Sequence, residues 1–93
     1  MSHYIAVLVP TASGRWHAFF PDFPACEAEA SELDLAAMHA ARALAHLAET
    51  SPGEIWVAPL PRDLCDIRSD ETWSAAHAIN WPRSVITMIP LNI

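Results

Sequence analysis

Arg15-Trp16-His17-Ala18-Phe19-Phe20-Pro21-Asp22-Phe23-Pro24-Ala25-Cys26 is the stretch whose reading decides the fold. Alternation through Trp16, Ala18 and Phe20 is a strand signal, and Pro21 stops the strand because it cannot donate to a ladder. Asp22 is suited to a side-chain turn with the backbone two residues on, and Pro24 sets a second φ angle. The chain therefore leaves one strand, turns a rigid Pro-Asp-Phe-Pro corner and enters another strand near Cys26.

Upstream, His3 to Pro10 is a β-branched-rich run without a formal charge, and Thr11 to Gly14 is a turn cluster, so the two strands form a hairpin. A turn centred at Ala12 and Ser13 places Ile5, Val7 and Val9 on one face with Trp16, Ala18 and Phe20. Tyr4, Ala6 and Leu8 then share the other face with His17 and Phe19. The first face is the better core, and a one-residue slip exchanges the partners. Downstream, Cys26, Ala28 and Ala30 alternate with Glu27 and Glu29, as in an edge strand blunted by charge. Ser31 begins an N-cap pattern, and Leu33, Ala36, Ala37, Ala40, Leu44 and Leu47 recur at helical spacing through Glu49. His39, Arg42, His46 and Glu49 fall on the helix's outer face, and Pro52-Gly53 ends it.

Glu54 to Pro61 reads as a connection with a short extended piece at Ile55, Trp56 and Val57. Arg62 to Ala76 reads as one or two helical turns with Leu64, Ile67 and Trp73 inward, and Ser84 to Leu91 as the last strand. The expected class is α+β: a single domain over residues 1–93, with a three- to four-stranded sheet, one main helix on one face and the order β-β-β-α-β. One helix covers one face only. Tyr4, Leu8 and Phe19 would then form an apolar patch on the other, marking self-association or a partner site unless the segment Trp56 to Trp81 folds back over it. A homo-oligomer is the expectation drawn from that patch.

The charge balance is −6, from five arginines, no lysine and eleven carboxylates. Nucleic-acid affinity draws heavily on cationic contacts to phosphate, so this balance argues against direct nucleic-acid binding by the chain alone. It suits a basic partner and, more commonly, plain solubility. No apolar run approaches the roughly 20 residues needed to cross a bilayer, and the start lacks the pattern of a signal peptide, so the expected location is the cytoplasm. Cys26 and Cys65 stand apart from any metal-ligand spacing and read as small hydrophobes.

The candidate chemistry is sparse. Cys26 with His17 or His39 is the one conceivable nucleophile and base, but nothing in the spacing selects either histidine. His39 and His46 lie seven residues apart on one helix face, about 10 Å, too far to share a metal directly. No cofactor is implied. Asp22 is better explained by the corner than by catalysis. Asp22, Glu27, Glu29, Glu32 and Asp34 gather around the corner, edge strand and helix start as the best local candidate for meeting a basic partner, although acids at a helix start also complement its dipole.

The pattern Tyr4-Ile5-Ala6-Val7, Gly14-x-Trp16 and Phe20-Pro21-Asp22-Phe23-Pro24-x-Cys26, followed by a helix from Leu33, resembles HicB-type antitoxins. The likeness continues through Ala40, Ala43-Leu44, His46-Leu47, Gly53-Glu54, Pro59 and Pro90-Leu91. Ala25 and Ala30 stand where the family usually has glycine, and Glu32 where it usually has threonine. The resemblance implies a truncated RNase H-like unit that neutralises a small basic toxin ribonuclease of the HicA type, without the DNA-binding segment most relatives add. RNase H-like catalysis needs a carboxylate on the first strand to hold metal, and His3 to Pro10 has none. The alternatives are an orphan self-associating scaffold and a small hydrolase or ligand-binding domain around Cys26.

Overall fold

The computed structural model describes residues 2–49 and 60–91. Its elements are β1 (Ser2–Pro10), β2 (Trp16–Phe19), β3 (Glu27–Ala30), α1 (Leu33–Glu49), α2 (Leu64–Ser69), α3 (Glu71–Ala76), a 3₁₀ turn at Trp81–Arg83 and β4 (Val85–Leu91). The strands form one four-stranded sheet in the order β3-β2-β1-β4, and every neighbouring pair is antiparallel. The extended piece expected at Ile55, Trp56 and Val57 lies outside the described residues.

The hairpin between β1 and β2 corrects the expected register. Val7 lies opposite Phe19, Leu8 opposite Ala18, Val9 opposite His17 and Pro10 opposite Trp16. The cause is local. The Gly14 amide donates to the Thr11 carbonyl at 3.0 Å, and Gly14 adopts φ +82°, a left-handed position that glycine occupies without a Cβ penalty. The Thr11 amide then donates to the Arg15 carbonyl at 2.7 Å, closing an odd-numbered loop over residues 11–15. That extra residue moves the pairing by one and exchanges the partners of every β1 side chain.

The principal core therefore forms on the face of Tyr4, Ala6 and Leu8. These residues pack with Ala18, Phe20, Phe23, Cys26 and Ala30 beneath Ala36, Ala40 and Leu44 of α1, and Ile89 and Leu91 of β4 complete the cluster. Alanines at the contact positions of α1 leave volume that aromatics fill. Phe23 stands edge-on to Tyr4 at 4.7 Å between ring centroids and to Phe20 at 6.4 Å. Burying Phe20 alone is worth about 1.5–3 kcal/mol.

The opposite face carries Ile5, Val7 and Val9 of β1 and Ile86 of β4, closed by Ile67 with Leu64, Trp73, Ile79 and Trp81. The chain after α1 thus folds back over this face. The two six-residue helices are too short to persist alone. Each is capped: Asp63 Oδ1 accepts from the Asp66 amide at 2.9 Å, and Asp70 Oδ1 accepts from the Trp73 amide at 3.0 Å. The open apolar patch expected from Tyr4, Leu8 and Phe19 does not form. Tyr4 and Leu8 are buried under α1, whereas Phe19 lies on the other face, edge-on to His77 at 4.7 Å and to Trp73 at 6.5 Å.

Candidate partner-binding surface

Of the five acids singled out in the sequence, Asp22 plays a different part from the rest. Its side chain is only 4% exposed, and Arg62 holds it. The Arg62 Nε donates to Asp22 Oδ1 at 2.9 Å and the Arg62 amide to Oδ2 at 3.2 Å. The same guanidinium donates to the Pro21 carbonyl at 3.0 Å and reaches Asp70 Oδ2 at 3.5 Å. Hydrogen bonding to Asp22 raises the Arg62 pKa from its ordinary value against the opposing effect of desolvation, so the guanidinium stays charged at every accessible pH. Asp22 is thus a structural clamp between the corner and the α2–α3 layer, with its carboxylate turned to Arg62 and not to solvent. Arg62, 40 residues away in sequence, left no local signal that would have paired it with the motif.

Glu27 and Glu29 are exposed on one side of β3, the strand at the sheet edge. The antiparallel register sets His17 opposite Glu29 and Phe19 opposite Glu27. His17 Nε2 lies 3.1 Å from Glu27 Oε1, its Nδ1 is 3.8 Å from Glu29 Oε2, and Arg15 Nε donates to Glu29 Oε1. These pairs are solvent-exposed and contribute about 0–1 kcal/mol each, so they leave the acids available to a competing cation. Ring stacking at 4.2 Å between His17 and Phe19 holds the imidazole against the sheet.

Glu32 and Asp34 are exposed immediately after β3. The Ala36 amide donates to the Glu32 carbonyl at 2.9 Å, which places Glu32 in the capping position expected of Ser31, and Asp34 lies in the first turn of α1. His39 Nδ1 donates to the Glu29 carbonyl at 3.4 Å, tying the helix to the edge strand. Four of the five acids therefore lie along β3 and the start of α1. Farther along α1, His39, Arg42, His46 and Glu49 border an open depression of about 600 Å³. A second, of about 200 Å³, adjoins it between α1 and Ala25, Cys26 and Glu27. Leu35 and Met38 are exposed apolar side chains on the outer side of the same helix, which the sequence reading had not singled out.

Catalytic chemistry finds little support in this geometry. Cys26 is buried, and burial, with the nearby Glu27 adding to it, pushes its thiol pKa up from the ordinary value. That is opposite to the shift a nucleophilic thiolate needs. Among the described residues, no group of three or more histidine, cysteine or acidic side chains is placed to hold a metal ion. No described helix is long and apolar enough to cross a membrane.

The N-terminal domain of the Burkholderia pseudomallei antitoxin HicB superposes on this chain with a TM-score of 0.78, over 99% of this chain and 100% of that one, at 13% sequence identity. The fold is HicB-like. A chain of a HicA3 and HicB3 toxin–antitoxin complex is similar over the same shares, with a TM-score of 0.66 and 15% identity. No family model and no curated protein matches the sequence.

Proposed function

We propose that this protein is a non-catalytic antitoxin of the HicB kind, which binds and neutralises a small basic toxin ribonuclease of the HicA kind. The observation that carries the reading is the end-to-end likeness to a HicB N-terminal domain, in a chain whose Phe20-Pro21-Asp22-Phe23-Pro24 corner already resembles that family. The net charge of −6 is consistent with a basic partner and opposes direct nucleic-acid contact by this chain alone. Neutralisation by such a protein needs steric cover of the toxin's active site and no chemistry of its own, in keeping with the buried, protonated Cys26. The docking surface is the rim of Glu27, Glu29, Glu32 and Asp34, where opposite charge speeds encounter and fixes orientation. The expected location is the cytoplasm, where an mRNA-cleaving partner acts.

Co-expression with a small basic reading frame encoded next to this chain tests this reading. Growth rescue together with a co-purifying complex is the expected result. A toxic neighbour that this chain neither binds nor silences would overturn it.

A further inference from the structure

The two edges of the sheet are unlike. β3 presents Glu27 and Glu29 at one edge. β4, at the other, reads Val85-Ile86-Thr87-Met88-Ile89-Pro90-Leu91, without an ionisable side chain. An edge strand exposes unpaired amides and carbonyls, and charge, proline or a cover normally blunts it. Here β1 satisfies one side of β4 from Leu8 opposite Val85 to Ser2 opposite Leu91, and no described strand pairs with the other side. Pro90 removes one donor near the end and leaves Val85 to Ile89 unblunted. Met88 is 57% exposed, a large apolar side chain on that strand.

We propose that the edge of β4 left unpaired among the described residues pairs antiparallel with β4 of a second copy of this chain, joining the two four-stranded sheets into one continuous sheet. The inference stands apart from the antitoxin reading. What selects a second copy is the strand's self-complementarity. With a two-fold axis at Thr87, Thr87 meets Thr87, Ile86 meets Met88 and Val85 meets Ile89, while Pro90 falls opposite Ser84, beyond the paired residues. Residues directly opposite point to the same face. Met88 is thereby covered by the other copy's Ile86 on the side of α2 and α3, and Val85 meets Ile89 on the side of α1. Two chains of −6 repel, so close contact is cheapest where the surface bears no charge. The β3 edge, with its two glutamates, fails that condition. The β4 edge meets it.

The test uses the whole chain in sedimentation and light scattering up to roughly 100 µM, a range suited to an interface at the small end of specific contacts. The wild type is expected to show a two-chain mass and Met88→Lys a one-chain mass with unchanged circular dichroism. In a Cys65→Ser background, Thr87→Cys is expected to form a covalent dimer on mild oxidation or with a short bis-maleimide, whereas the background protein does not. A one-chain mass for the wild type sinks the proposal, as does a dimer that Met88→Lys leaves intact. Should Met88→Lys fail to fold, the Thr87→Cys cross-link decides alone, and its absence counts against the β4 pairing.

Discussion

Asp22 and Cys26 sit four residues apart in a stretch crowded with aromatics, and the structural reading of each in the sequence agrees with its surroundings. Asp22 is spoken for by a guanidinium that is itself 36% exposed. Because the carboxylate is the more buried partner, the two ends of the clamp are not equivalent. Asp22→Asn keeps an acceptor and lets Arg62 turn to water, for a loss of about 1 kcal/mol; Arg62→Met strands a buried carboxylate and costs about 2–3 kcal/mol. Urea titration of both variants checks the order as well as the size. Cys26 gives a pH prediction. Its folded-state pKa is raised, so the stability it contributes is complete below the unfolded-state value and declines as pH rises through the alkaline range. Between about pH 8 and 10 the wild type should lose stability more steeply than Cys26→Ala, and a thiol reagent should label exposed Cys65 long before Cys26. Equal labelling rates in the native protein would count against this account.

At the scale of the element, most of the structure was legible. Period-two alternation marks β2 and β3, helical spacing marks α1 from Leu33 to Glu49, and inward Leu64, Ile67 and Trp73 mark the short helices. Register was not legible, because both faces of β1 are apolar from Tyr4 to Val9, and no polar residue shows which side faces which partner. One left-handed glycine at position 14 decided it. Of the five acids expected to meet a partner, Glu27, Glu29, Glu32 and Asp34 are exposed, whereas Asp22 is held by Arg62, and an ion pair so distant in sequence leaves no periodic trace. The α2–α3 layer rests on few contacts, with Ile67 its one fully buried large side chain. Ile67→Ala should therefore cost about 2–5 kcal/mol and raise amide exchange in residues 64–76 ahead of α1. Uniform exchange throughout the chain would show that the layer is not a separate unit.

For the whole molecule, the charge is one-sided in chemistry: arginine is the only strong cation, and acids outnumber it by more than two to one. Association with a basic partner should therefore slow with added salt, chiefly in the on-rate, as the Debye length contracts from about 10 Å at 0.1 M to about 3 Å at 1 M. Charge reversal at Glu32 and Asp34 should reduce the on-rate at low salt while leaving the melting temperature within a few degrees, since neither side chain is buried. Stopped-flow binding over a salt series separates this outcome from a salt-independent, purely apolar association.

The unlike edges of the sheet also bear on where assembly stops. A strand-to-strand contact that uses one edge twice is isologous and consumes itself; one that joins an edge to a different edge repeats without end. Joining two copies by β4 leaves β3 at both outer margins, each lined with Glu27 and Glu29. A third copy could add only against those glutamates, and its own β4 would already be the better match for another free β4. In the proposed dimer, the sequence of one short strand, EAEA, is what would set the upper limit on the particle. Neutralising that edge with Glu27→Gln and Glu29→Gln removes the terminator and opens the way to ribbons of indefinite length.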